Sequence, residues 1–291
     1  MKLLIIGGSG LIGSHVLRAA RENEHEAVGT YRSHAEPGLV HLDCADHTAA
    51  EALIGREKPD VVVHAAGWTW VDGCEDDPQR AFAENAEQPA AIAAKCQQAG
   101  CRFVYFSTSY VFDGKAGPYA EDATPNPINV YGRSKLQAEQ QIIADHAEAL
   151  IGRVVWVYGA EAQGKNLGYQ VRRAMEQGNT LRVPSDQRGN PSYAGDIARW
   201  LVTLLERRVT GIWHLAGPEA NCARAEWARQ LVGAFEAAGV QPHPQFVIEE
   251  ISTAELKQRA PRPLRGGLLT PKADGLGLRA TELAKAVAEM Q

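Results

Sequence analysis

The chain has 291 residues, 45% apolar and 22% charged, an ordinary globular composition with room for one large domain or two modest ones. Lys and Arg total 30 against 35 Asp and Glu, a formal charge of −5 with no long basic run, so the composition carries no electrostatic footprint for nucleic acid. The opening apolar run is cut by glycines and falls far short of the ~20 residues that cross a bilayer, so neither a signal peptide nor a membrane anchor is expected and the protein reads as cytoplasmic.

Cys44, Cys74, Cys96, Cys101 and Cys222 include no CxxC spacing, and neither HExxH nor a Cys/His ligand pattern appears. Reduced thiols and no metal are expected.

Lys2–Ile6 suits a strand buried on both faces, and Gly7-Gly8-Ser9-Gly10-Leu11-Ile12-Gly13 follows without a gap. Ile12, Val16, Ala19 and Ala20 then repeat at helical spacing, which sets the glycines between a strand and a helix. A dinucleotide fingerprint requires that context. Glycines let the backbone turn tightly and approach a pyrophosphate, whose charge meets the amide donors of the following helix. Gly7, Gly10, Leu11, Ile12 and Gly13 are the expected cofactor contacts, whether the motif is scanned from Gly7 or from Gly8.

The next strand, 25–31, ends in Tyr31-Arg32-Ser33, about twenty residues past the last glycine, where the cofactor's ribose is expected. An acidic residue here would favour NAD through the 2′-hydroxyl, whereas Arg32 and Ser33 suit the 2′-phosphate of NADP(H). Asp43, closing another strand-like run, either meets the adenine or caps a helix over 47–56. Val61-Val62-Val63-His64-Ala65-Ala66-Gly67 is a further buried strand, and its small terminal residues Ala65 and Ala66 let the chain pass beneath a cofactor. His64 is read as a hydrogen-bonded structural residue in preference to an acid or base. The aromatic loop 68–72 either lines a pocket or packs on a neighbour; the helical segment beyond it is divided by Pro89 near Asn85 and closed by Gly100. Strand 102–109 ends in the hydroxyls Ser107-Thr108-Ser109, at the edge where open α/β sheets bind ligands.

Residues 130–148 read as a helix on which Tyr131 and Lys135, four apart, share one face. A phenol titrates near pH ~10, and a cation one turn away that lowers this value makes it a better proton donor at neutrality. Beyond residue 150 the βα alternation becomes irregular, with helices expected over 167–177, 194–207, 224–238 and 281–290. The expected fold is α/β, a Rossmann-type doubly wound parallel sheet with a smaller C-terminal α/β substrate lobe. An NADP-binding domain over 1–160 and a substrate lobe over 161–291 are expected, with a crossing of the chain back to the first domain allowed for.

GGSGLIG (7–13), STSYVFDG (107–114), YGRSK (131–135), RVVWVYG (153–159) and DQRGNPSYAGDIA (186–198) follow one another in an order that resembles the extended short-chain dehydrogenase/reductase superfamily. More narrowly they resemble its dTDP-4-dehydrorhamnose reductase-like branch, and WHLAG (213–217) and PRP (261–263) extend the likeness. The resemblance implies Tyr131 as proton donor, Lys135 as the residue that lowers its pKa and holds the nicotinamide ribose, and Thr108 as the group that polarises the substrate carbonyl. It implies that Tyr110, Trp156, Gln187 and Arg262 face substrate and that Asn85 is structural. The activity so implied is NADPH-dependent hydride transfer to the 4-keto group of a nucleotide-activated deoxysugar, by a monomer or homodimer. A redox-neutral epimerase or dehydratase, and a non-catalytic NADP-binding regulatory subunit, are the alternatives. Two departures stand out: Leu11 and Ser14-His15 replace a glutamine and an acidic residue usual in the branch, and Arg262-Pro263-Leu264-Arg265-Gly266-Gly267 replaces its RPxxS pattern.

Overall fold

Strands buried on both faces build the central layer. In the computed structural model, which describes residues 1–290, β1 (Lys2–Ile6) runs into the glycine turn and α1 (Leu11–Glu22). Then come β2 (Glu26–Tyr31), β3 (Val40–His41), α2 (His47–Glu57) and β4 (Val61–His64). Next, α3 (Val71–Asp76), α4 (Pro78–Phe82), a π-helical turn (Ala83–Glu87) and α5 (Gln88–Ala99) lead to β5 (Arg102–Thr108), and α6 (Val130–Asp145) leads to β6 (Leu150–Val154). The second half contains β7 (Val157–Tyr158), α7 (Leu167–Gln177), β8 (Thr180–Pro184), β9 (Arg188–Gly189), β10 (Ser192–Tyr193), α8 (Ala194–Glu206) and β11 (Gly211–His214). β12 (Cys222–Ala223), α9 (Arg224–Ala237), β13 (Val247–Ile251), α10 (Pro271–Gly275) and α11 (Leu283–Ala288) complete it.

Seven parallel strands lie in the order β11-β6-β5-β4-β1-β2-β3, the doubly wound Rossmann arrangement extended by one strand. Leu3, Ile5, Val61, Val63, Val104 and Phe106 face α1 and α8, whereas Leu4, Ile6, Val62, Phe103 and Tyr105 face α2, α5 and α6. Both faces are therefore covered, and the strands read as continuous apolar runs for that reason. A separate core of Val171, Met175, Trp227, Leu231, Phe235 and Val287 unites α7, α9 and α11. Residues 161–290 do not form that lobe alone: β11 is the terminal strand of the central sheet and α8 packs in its outer helical layer.

Local signals explain most element ends. Gly100 and Gly178 close α5 and α7 with φ of 72° and 70°, a region glycine enters without a Cβ penalty. Asn129 caps α6 by accepting from the Gly132 amide at 2.8 Å. The cap of α2 is Asp46, which accepts from the Ala49 amide at 2.9 Å. Asp43 does not cap it; three residues too early, it accepts from the Ala45 amide in a turn at 3.0 Å. The expected helix over 281–290 is shorter, Leu283–Ala288, and ahead of it the Thr281 amide, at 2.9 Å, and hydroxyl donate to Asp196.

A buried ion pair joins α6 to the sheet. Glu139 of α6 accepts from the Arg153 guanidinium of β6 at 2.6 and 3.0 Å, with both side chains 2% exposed. Removing one partner would strand the other in a place water does not reach. Glu139→Ala is expected to cost about 3–5 kcal/mol in urea unfolding; a loss below ~1 kcal/mol would mean the pair behaves like a surface one.

Candidate active site

Strand order reverses between β1 and β4, and the crevice beyond their carboxyl ends is where such sheets bind ligands. Gly7 leaves β1 with φ of 85°, and a Cβ on it would lie 2.8 Å from the Ala66 nitrogen. A Cβ on Gly13 would lie 2.1 Å from the Gly7 carbonyl oxygen. Main chain therefore packs on main chain, with Ala65 bonded to the Ile6 carbonyl at 2.9 Å and Gly7 to the Thr30 hydroxyl at 3.2 Å. Gly10 precedes α1, no side chain caps the helix there and its first turn holds no acidic residue, so the amides at Leu11, Ile12 and Gly13 have no side-chain acceptor at the cap. An uncapped helix end over a glycine turn fits the pyrophosphate of a dinucleotide.

At the end of β2, Arg32 and Ser33 are exposed. Arg32 bonds Glu84 at 3.1 Å, and Glu84 also accepts from Arg80 at 2.7 Å. His15, in the position of the branch's acidic residue, is buried and ties α1 to the Ala160 carbonyl at 3.0 Å.

β5, next in the sheet to β4, delivers Thr108 at its carboxyl end, and the first turns of α6 deliver Tyr131 and Lys135 beside it. All three are buried, 6%, 8% and 4% exposed respectively. The Lys135 ammonium lies 4.1 Å from the centre of the Tyr105 ring and has no hydrogen-bond or ion-pair partner among the described residues. A Cβ at Gly67, whose φ is 157°, would come within 3.9 Å of its Nζ, which sets the lysine against the loop leaving β4. Gly132 allows the helix to lean in, since a Cβ there would meet the Tyr110 carbonyl at 2.1 Å.

Asn85 holds these parts together. It accepts from the Trp68 amide at 2.8 Å, donates to the Trp68 carbonyl at 3.0 Å and to the Ser134 hydroxyl at 3.3 Å, and its own carbonyl accepts from Tyr105 at 2.6 Å. It sits in the π-helical turn, which re-aims a side chain that a regular helix would point elsewhere.

Burial dominates the titration of the cluster. It raises the Tyr131 phenol pKa, with the Thr108 hydroxyl acting the other way. The expected lowering by Lys135 is absent from the ligand-free protein, because the lysine itself is desolvated: burial takes it down to about 7, against the pull of Glu139 and Cys74. His64, fully enclosed and near Lys135, is pushed down to about 3 and stays neutral, as a structural residue does.

The four residues expected on the substrate side differ in their freedom. Tyr110 packs edge-on against Tyr131 with ring centres 5.6 Å apart. Trp156 adopts φ of 41° and lays its indole over Gly189, where a Cβ would come within 3.0 Å of the ring. Gln187 is buried and donates to Thr253 at 3.2 Å. Arg262 is neutralised by Asp72 at 2.8 Å and also donates to the Ala260 carbonyl at 2.7 Å. A fifth residue, Arg224, escaped the sequence reading: its guanidinium lies 5.1 Å from the centre of the Trp156 ring. The one available signal was a cation in the first turn of a helix, against the dipole.

The whole chain, residues 1–291, matches the family model described as RmlD substrate binding domain. It is 34% identical over 283 residues to the Haloferax volcanii protein named "Probable low-salt glycan biosynthesis reductase Agl14", covering 94% of this chain and 92% of that one. It is 34% identical over 266 residues to the dTDP-4-dehydrorhamnose reductase of Mycobacterium tuberculosis, covering 90% and 82%. The crystal structure of the dTDP-4-dehydrorhamnose reductase of Bacillus anthracis in complex with NADP superimposes with a TM-score of 0.86 at 25% identity, over 99% of this chain and 98% of that one. The chain therefore belongs to the RmlD substrate binding domain family, within the extended short-chain dehydrogenase/reductase superfamily.

Proposed function

We propose that the protein is an NADPH-dependent reductase that delivers hydride to the 4-keto group of a nucleotide-activated deoxysugar. The observation that carries this reading is the convergence of Thr108, Tyr131 and Lys135 on the carboxyl edge of the sheet, one strand from the glycine turn and against the loop leaving β4. Arg32 at the end of β2 supports the phosphorylated cofactor, provided that a 2′-phosphate displaces Glu84 from it. The reductase names of similar proteins support the substrate class.

A bound reduced nicotinamide supplies the hydride. The residues of this chain do the rest. Gly7, Gly10 and Gly13, with the first amides of α1, hold the pyrophosphate; Arg32 and Ser33 hold the 2′-phosphate; Ala65 and Ala66 leave room for the cofactor above β4. Thr108 holds the substrate carbonyl oxygen, and Tyr131 gives up its proton as negative charge develops there. Burial keeps that phenol protonated until charge arrives. Lys135, without a partner of its own, donates to the nicotinamide ribose and, once charged, stabilises the phenolate left behind.

Lys135 serves this role at a cost in stability, and the sign can be worked out. Its pKa falls from 10.5 unfolded to about 7 folded, so the folded state is penalised fully below about 7, progressively less as pH rises, and not at all above 10.5. Lys135→Met is therefore expected to raise the melting temperature of the ligand-free protein at neutral pH, with an advantage that shrinks toward alkaline pH, while abolishing turnover. A destabilised methionine variant at neutral pH would overturn the assignment of an unpaired ammonium.

NADPH oxidation against a panel of dTDP-, GDP- and UDP-4-keto sugars tests the activity. Tyr131→Phe should reduce kcat by ~10²–10⁴, the range for a lost general acid, and unaltered turnover in that variant would remove it from the chemistry. No turnover with any sugar would leave the regulatory-subunit reading. Arg32→Ala should weaken NADPH binding about ten-fold or more, the loss of one charge-assisted contact, and leave NADH nearly unchanged; equal losses would reject the phosphate assignment.

A further inference from the structure

Arg224 is a cation in the cleft for which the protein supplies no anion. It makes no side-chain hydrogen bond or ion pair among the described residues, and its neighbours are the face of Trp156 at 5.1 Å, Tyr110, and a second arginine, Arg262. Arg262 repels it and is itself satisfied by Asp72 at 2.8 Å. Partial burial strips water from the guanidinium and lowers its pKa, and no carboxylate beside it among the described residues compensates the charge. Its backbone makes matters worse: Arg224 opens α9, a 14-residue helix, at the positive end of the dipole. A local choice that opposes burial, dipole and neighbouring charge together is a sign of function.

The backbone around it is equally committed. The Arg224 amide donates to the Gln187 carbonyl at 2.9 Å, and the preceding strand β12 pairs with β9, on whose Gly189 the Trp156 indole rests. Trp156 holds its positive φ of 41° in that arrangement, a strain that persists only when its surroundings dictate it. A flat guanidinium over a flat indole leaves its donor edge free for oxygen atoms. The Tyr110 ring beside it packs on Tyr131, so these donors lie on the substrate side of the proton donor.

We infer that Arg224, carried on the Trp156 face, binds the diphosphate of a nucleoside-diphosphate substrate and selects for it against neutral sugars. This assignment rests on the sugar-nucleotide reading above and adds the residue that recognises the anionic part. Phosphate oxygens would give the guanidinium its missing acceptors and cancel the repulsion from Arg262.

Isothermal titration of the full-length protein with dTDP, UDP, thymidine and NADP⁺ tests it without turnover. In Arg224→Met the Kd for whichever nucleoside diphosphate the wild type binds should rise about ten- to hundred-fold, the loss expected for a hydrogen bond to a charged group. Thymidine and NADP⁺ should bind as before, and Arg224→Lys, which keeps the charge, should retain most of the diphosphate affinity. Unchanged diphosphate affinity in the methionine variant overturns the assignment, as does an equal loss for thymidine or NADP⁺, or a wild type that binds neither dTDP nor UDP. Inactivity on every 4-keto sugar with Arg224-dependent dTDP binding intact would instead remove the reductase reading and leave the anion site standing.

Discussion

The contact of main chain with main chain at Gly7, Gly13 and Ala66 is the constraint from which the rest of the site follows. A single added carbon at Gly13 would come within 2.1 Å of a carbonyl oxygen, so the turn after β1, the start of α1 and the end of β4 can meet only without side chains. Their meeting leaves the amides of α1 uncapped over a crevice lined by backbone. Asn85 extends the same arrangement sideways by bonding the loop after β4, the ring below Lys135 and the helix that carries Tyr131. Cofactor cradle and catalytic helix are thus held as one unit.

Charge pairing separates the structural cations from the functional ones. Arg153 is enclosed and its charge is paired with Glu139 through Nε and one terminal nitrogen, and Arg262 is paired with Asp72. Lys135 is enclosed and Arg224 half-buried, and neither has a side-chain hydrogen bond or ion pair among the described residues; they lie over the rings of Tyr105 and Trp156 respectively. Burying an unpaired charge is among the costliest choices a fold can make, and on the reading proposed above a ligand offsets it. Lys135 lies against the loop leaving β4 and Arg224 beside Tyr110, whose ring packs on Tyr131. A cleft with a waiting cation at each end suits two anionic or polyhydroxylated ligands meeting in the middle.

Much of this was legible before any coordinates. Strand β1 and helix α7 begin and end where their apolar period and flanking glycines say they should, because capping and periodicity act over a few residues. That Tyr131 and Lys135 share a helical face and that the glycines join a strand to a helix was legible for a similar reason, each being a short motif whose spacing has a mechanical meaning; Thr108 was singled out by its place at a strand end and by the family resemblance. Of the two readings open for Asp43, the helix cap falls to Asp46 three residues on, since a carboxylate near a helix start has several amides within reach. The π-helical turn at 83–87 has no sequence period by which to be recognised.

Local pattern, then, determined which segments are strands, where the dinucleotide turn lies and which tyrosine and lysine share a helical face. Tertiary packing alone decided that β11 returns to the central sheet, that Asn85 clamps three elements, that Lys135 is taken down to about 7, and that Arg262 has an acid while Arg224 has none. The physical reason is range. Periodicity and caps depend on neighbours in the chain, whereas desolvation and ion pairing depend on groups brought close by folding, such as Arg262 and Asp72, which are far apart in sequence.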